Sequence, residues 1–183
     1  MNTIITLAGF GGQGIIKASI TLAQVAVRQG FNALQNQAYG PQSRGGISKG
    51  DVVISDGKIY DIEPDSSDIL FALSQQSFDR YIHLLKKDAG VLIYDTGTVT
   101  LPRAYDTIRA AGIPATAAAS KEFGNRAITG TIAVGYACAL MKFIDRSCAE
   151  SVISESVPQH AKTANLKAFA FGWDTARNSK FIF

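Results

Sequence analysis

The chain is predicted to adopt an α/β fold: a layered, mostly parallel sheet with one inserted hairpin and helices on both faces. Three observations carry this. Short apolar runs alternate with helical patterns through glycine-marked connections. The first run ends in Gly9-Phe10-Gly11-Gly12-Gln13-Gly14, and a long apolar helix follows at once. The run 51–55 leads through Asp56-Gly57, a tight-turn pair, into 58–60, which interrupts a simple strand–helix–strand series.

Taken in order, residues 4–8 form the first strand and 13–29 the first helix. The polar residues Lys17, Thr21, Gln24 and Arg28 fall in one narrow stripe. Ile15, Ile16, Ile20, Leu22, Val25 and Ala26 cover most of the remaining circumference, which predicts a largely buried helix. Gly30 stops it as a residue in the left-handed conformation. Residues 31–38 are extended and 39–46 form a loop. The 51–60 hairpin comes next, then an apolar strand at 68–73 and a helix to about 85. A strand at 90–94, a short helix at 102–111 closed by Gly112, and a last strand at 113–118 complete the sheet. The C-terminal third is helical, at 126–144, 147–156 and 159–178.

At 183 residues the chain is expected to be one domain, 1–183, able to bury roughly 70% of its unfolded surface. Its 46% hydrophobic and 18% charged content is globular, and a net charge of +3 is too small to suggest nucleic acid. The distribution of charge is more informative. Residues 1–50 carry Lys17, Arg28, Arg44 and Lys49 and no acid, which suits a small anionic ligand better than a polyanion. Cys138 and Cys148 are isolated, with no Cys-x-x-Cys for a zinc or iron–sulfur site, and fit a reducing cytoplasm. The longest apolar run, 131–141, is far short of the about 20 residues of a membrane span, so a soluble protein is expected.

A strand, a glycine turn and a helix in succession hold phosphate, because glycine lets the backbone approach an anion and the helix start aims N–H groups at it; the layout is Rossmann-like. Gly9, Gly11 and Gly14 also satisfy the dinucleotide spacing, which calls for an acid about 20 residues on. Residues 31–38 contain none. The turn therefore reads as a phosphate site of a different kind from an ordinary NAD site, with the Gln13 amide able to donate to and accept from a ligand. The alternative is a turn whose glycines only permit close packing. A second motif, Tyr39-Gly40-Pro41-Gln42-Ser43-Arg44-Gly45-Gly46, follows the second extended segment. Loops after parallel strands emerge at one sheet edge, which would bring Arg44, Ser43 and the glycine N–H groups of this loop beside the first turn.

These two motifs, with Ser55-Asp56, Asp68-Ile69-Leu70, Gly124-Asn125 and Val157-Pro158 in the same order, resemble the gamma subunit of the 2-oxoacid:ferredoxin oxidoreductase family. The likeness covers nearly the whole chain. The 2-oxoglutarate (KorC-like) branch looks nearest, followed by the pyruvate, branched-chain and indolepyruvate enzymes. The resemblance implies oxidative decarboxylation of a 2-oxoacid with coenzyme A, giving acyl-CoA, carbon dioxide and reduced ferredoxin. It further implies that coenzyme A is partly bound here, at Gly9, Phe10, Gly11, Gly12, Gln13, Gly14, Tyr39, Ser43, Arg44, Gly45 and Gly46. Thiamine diphosphate and the iron–sulfur clusters would reside in alpha and beta partner subunits, a ferredoxin-like delta subunit being a further candidate partner. The 3′-phosphorylated ribose of coenzyme A would be repelled by a carboxylate, which accounts for the missing acid. The subunit is expected to be inactive alone.

Two rival classes stay open on the sequence: a stand-alone NAD(P)-dependent oxidoreductase, and a non-catalytic module that binds a phosphorylated ligand. No catalytic residue is identified. Ser74 and Ser77 have no base in view, His83 and His160 read as surface or capping residues, and Cys138 reads as core. The acidic run Asp61, Glu63, Asp65 and Asp68 around Pro64 has a metal site as its weaker reading and a solvated turn as the favoured one. The small residues of 126–144 have two readings of equal weight, close packing within the chain or a subunit contact.

Overall fold

In a computed structural model, residues 1–39, 46–60, 63–105 and 107–179 are described. Six strands form one sheet: β1 (Asn2–Phe10), β2 (Asn32–Tyr39), β3 (Ile47–Ser55), β4 (Ile69–Ala72), β5 (Val91–Asp95) and β6 (Arg109–Ile113), in the order β2-β3-β1-β4-β5-β6. β1, β4, β5 and β6 run parallel, while β3 is antiparallel to both β1 and β2. Six helices accompany them: α1 (Ile15–Arg28), α2 (Gln75–Tyr81), α3 (Ala115–Lys121), α4 (Thr129–Leu140), α5 (Arg146–Ser156) and α6 (Lys162–Arg177).

Side chains alternate across the sheet with the period of two that a strand imposes. Ile5, Leu7, Ile69, Phe71, Val91 and Ile93 join one core with α1, α3, α4, α5 and α6. Leu70, Ala72 and Leu92 join a smaller core on the other face with Phe78 of α2. Both faces are covered, as expected. α1 ends as predicted: Gly30 has φ +90°, its N–H donates to Val27 O, and the Phe31 N–H donates to Ala26 O.

Four sequence expectations need correction. The inserted hairpin is β2–β3, with Tyr39 opposite Ser48; residues 58–60 form no strand. Gly50 disguises β3 in the sequence, and it is there because a Cβ would lie 2.6 Å from the Ser19 Cβ of α1. Among the described residues of 102–108 the helical element is a short 3₁₀ turn, Arg103–Tyr105; β6 follows from Arg109, and the segment from Ala115 is a helix rather than the last strand. The helix at 126–144 is a 3₁₀ turn, Arg126–Ile128, followed by α4, which ends at Leu140. Finally, α1 is buried on one side only, since Ile20 is 40% and Val27 57% exposed.

The small residues of α4 serve packing inside the chain. A Cβ on Gly135 would run into the Phe169 carbonyl of α6, 2.9 Å from its carbon, and one on Gly172 of α6 would lie 2.9 Å from the Ile132 carbonyl carbon. The two backbones meet where glycine faces backbone. Residues 132–138 are all buried, which leaves no small-residue face on α4 for a subunit contact.

Candidate functional site

The glycine turn stands at the carboxyl end of β1. There the sheet switches direction of travel: α1 leaves toward one face, and β4, the other neighbour of β1, leads into α2 on the opposite face. Crevices at such points are where α/β sheets bind ligands. The six residues of the turn divide by role. A Cβ on Gly9 would lie 2.9 Å from Ile15 Cδ1, and one on Gly14 would run into the Ala127 carbonyl, 3.3 Å from its carbon. Gly14 also has φ +76° and forms the N-cap of α1. These two glycines answer to packing. Gly11 and Gly12 are exposed, and Gly12 has φ +92° with nothing within 4 Å of a would-be Cβ. Their backbone faces solvent.

Gln13 departs from the sequence reading. It is fully buried (0% exposed), and its amide is engaged by the protein instead of being turned outward. Oε1 accepts from the Phe10 N–H at 2.6 Å, while Nε2 donates to Leu73 O at 2.9 Å and to Thr116 Oγ1 at 3.0 Å. Its backbone carbonyl accepts from the Gly130 N–H at 2.8 Å. One side chain thus ties the turn to the end of β4 and the start of α3, and its backbone ties the turn to α4.

The two glycine motifs meet directly. The Gly11 N–H donates to Gly46 O at 2.9 Å. β2 runs in the same sense as β1 with β3 between them, so the connection after β2 returns to the carboxyl edge of β1. Of the second motif, Gly40, Pro41, Gln42, Ser43, Arg44 and Gly45 lie outside the described residues. Tyr39 ends β2 opposite Ser48.

The positive charge of the first quarter is partly neutralised by acids from elsewhere. Arg28 of α1 pairs with Glu155 at 2.6 Å, and Lys49 pairs with the buried Asp51 at 2.7 Å while standing 5.6 Å from the Tyr81 ring centre. Asp51 also accepts from Thr6 Oγ1 at 2.8 Å. Lys17 stays exposed in the first turn of α1. The sequence reading missed Arg126, whose guanidinium lies 6.0 Å from the Phe10 ring centre and adds a cation at the turn. It also missed Asp95, Thr98 and Thr116 at the same sheet edge. Asp95 is fully buried and accepts from the Gly97 N–H at 2.9 Å and the Thr116 N–H at 2.6 Å, which fixes the ends of β5 and β6. Only the strand register brings these residues together, so no local motif marks them.

Ser74 and Ser77 are fully buried and cap α2 reciprocally. Cys138 is fully buried, and burial pushes its thiol well above the ordinary range, which removes it as a nucleophile. His83 and His160 are exposed. Among the described residues no cluster of His, Cys, Asp and Glu suits a metal, and no helix is long and apolar enough to cross a membrane.

Residues 4–175 match the family described as pyruvate ferredoxin/flavodoxin oxidoreductase. The 2-oxoglutarate synthase subunit KorC of Methanocaldococcus jannaschii is 36% identical, over 97% of this chain and 95% of that protein. The keto/oxoacid ferredoxin oxidoreductase gamma subunit of Geobacter sulfurreducens PCA superposes with a TM-score of 0.82 at 33% identity, covering 97% of this chain and 99% of that one. A 2-oxoglutarate:ferredoxin oxidoreductase from Magnetococcus marinus, solved with 2-oxoglutarate, coenzyme A and succinyl-CoA bound, has the same fold. Its TM-score is 0.86 at 24% identity, over 99% of this chain and 32% of that one.

Proposed function

The chain belongs to the pyruvate ferredoxin/flavodoxin oxidoreductase family, as a gamma subunit of a 2-oxoacid:ferredoxin oxidoreductase, and from that premise we propose that it contributes the coenzyme A site. Residues 1–183 act as one gamma domain. In the assembled enzyme a 2-oxoacid loses carbon dioxide, its acyl group passes to the coenzyme A thiol, and two electrons pass to ferredoxin. Thiamine diphosphate and the iron–sulfur clusters belong to the partner subunits. This chain's own work is to bind and orient the nucleotide end of coenzyme A.

The observation that carries this reading is the Gly11 N–H to Gly46 O hydrogen bond of 2.9 Å, which joins the two glycine motifs at the carboxyl edge of β1. With the Gly11 N–H given to Gly46 O, the exposed Gly12 backbone would receive a phosphate, and the connection bearing Arg44 and Ser43 begins and ends beside it. Lys17 and Arg126 add positive charge. Residues 31–38 carry no carboxylate, which suits a 3′-phosphorylated ribose and disfavours NAD. The coenzyme A bound in the Magnetococcus marinus enzyme is consistent with this choice of ligand.

Calorimetric titration of the full chain tests the proposal. Coenzyme A should bind, weakly if partner subunits complete the site, and NAD should give no heat. Tight NAD binding with no response to coenzyme A would favour the nicotinamide enzyme instead.

A further inference from the structure

A second cavity lies away from the exposed turn, on the flank of α1. It has a volume of about 170 Å³ and is enclosed by α1, the 3₁₀ turn leading into α4, α4 itself, the end of α5 and the start of α6. Of the glycine turn it includes only Gly14. Its size excludes coenzyme A and admits a compact ligand.

Its lining is chemically asymmetric. The start of α1 borders it at Gly14, with no side-chain cap and no acid in its first turn, while the 3₁₀ turns that run into α4 and α6 bring Ile128 and Ala161 to the lining. Among the described residues, only α1 starts here with first-turn N–H groups that no carbonyl takes up, since the preceding 3₁₀ turns and Gln13 O accept those of α4 and α6; that one helix start favours negative charge. Lys17 adds a full positive charge at the mouth, and no lining residue is Asp or Glu. Asn125 accepts the Ala127 N–H at 3.0 Å, which leaves its Nδ2 to donate.

Inside, Thr21 is 6% exposed and its hydroxyl has no hydrogen-bond partner among the described residues. Since no wholly enclosed side-chain polar atom there lacks a partner, that oxygen opens onto the cavity. Deeper, Thr131 donates to Asn165 Oδ1 at 2.8 Å, and Asn165 Nδ2 donates to Ala161 O at 2.9 Å. Val134, Ile153 and Val157 make the rest apolar. A cationic mouth, one unfilled hydroxyl and an aliphatic interior ask for an anionic head on a short branched hydrocarbon body.

We infer that this cavity is a binding site for a small aliphatic monocarboxylate. The carboxylate sits between Lys17, Asn125 and the start of α1, and the hydrocarbon body lies against Val134, Ile153 and Val157. The site shares Lys17 and the start of α1 with the coenzyme A reading, but its test reads a carboxylate at Thr21, Thr131 and Asn165, so either reading can fail without the other.

Isobutyrate is the probe, titrated into the ¹⁵N-labelled full chain and followed by NMR. The expected result is saturable shifts at the amides of Thr21, Thr131 and Asn165. The neutral isostere isobutyramide and inorganic phosphate should each bind about tenfold more weakly, because one lacks the charge and the other the apolar body. Lys17→Met, at an exposed position, and the near-isosteric Thr21→Val should each weaken isobutyrate by a similar factor. Shifts that stay linear, that isobutyramide or phosphate reproduces at equal concentration, or that both variants leave unchanged would overturn the assignment.

Discussion

Replacing Gln13 by leucine tests the frame that holds the glycine turn. The side chain is fully buried and makes three hydrogen bonds, and the substitution removes all of them while nearly conserving volume. Their partners fare differently. Leu73 O still accepts from Thr98 Oγ1 at 3.1 Å, and the Thr116 hydroxyl can turn to another acceptor. The Phe10 N–H is left with no partner. One orphaned donor costs about 1–3 kcal/mol, and the two remaining bonds about 1 kcal/mol together once leucine burial offsets part of the loss. The expected loss is about 3 kcal/mol, or roughly 6–12 °C in melting temperature for a chain of this size. Urea unfolding followed by the fluorescence of Trp173, the sole tryptophan, measures it. Gln13→Glu sharpens the test. An ionised carboxylate would face the Leu73 carbonyl in a buried site, so its own pKa rises and the variant loses stability as pH rises through that value. A loss below about 0.5 kcal/mol in Gln13→Leu would refute the bracing role.

Three further outcomes are expected. Gly12→Val should cost about 1–2 kcal/mol, from φ +92° and not from crowding, and should keep a cooperative melt while abolishing the calorimetric response to coenzyme A. A folded variant with wild-type affinity would make the turn structural. Gly135→Ala should cost about 3 kcal/mol because the Phe169 backbone blocks the added methyl; a melting temperature within 2–4 °C of wild type, about 1 kcal/mol, would contradict that packing. Arg28 holds the exposed Glu155 carboxyl down at about 2. The stability this pair adds is present above the ordinary carboxylate pKa of about 4.3 and is lost as pH falls toward 2. Glu155→Gln should flatten that acid limb slightly, as suits a surface pair, and 1 M salt should mask the difference.

The central strands and the long helices were legible because their patterning is strong. Residues 52–54 and 69–73 are apolar and bounded by polar residues, and Gly30 punctuates α1 where its left-handed φ requires glycine. The misread segment, 102–118, has compositions that conflict with its structure. Arg109-Ala-Ala-Gly-Ile is a poor strand by intrinsic preference and forms β6 only because β5 offers an unpaired edge. The alanine-rich stretch behind Pro114 is helical by propensity, and reading Gly112 as a helix stop displaced both elements. Asp56-Gly57 mimicked a hairpin turn, whereas the true partner of β3 was β2, on the far side of a long connection. At the site, the two glycine motifs were readable as motifs. The inward orientation of Gln13 was not, because an amide beside glycines carries no local sign of which way it points. Arg126 was unreadable for a different reason: it reaches Phe10 from 116 positions along the chain.

The measurement closest to the central claim is the Michaelis constant for coenzyme A in the assembled enzyme carrying Arg44→Ala. If Arg44 meets a phosphate of coenzyme A, the variant loses one charge-assisted hydrogen bond, about 1.5–3 kcal/mol. The Michaelis constant for coenzyme A should rise about ten- to a hundredfold, with the constant for the 2-oxoacid and the release of carbon dioxide unchanged. An unaltered coenzyme A constant in a correctly assembled variant would contradict it.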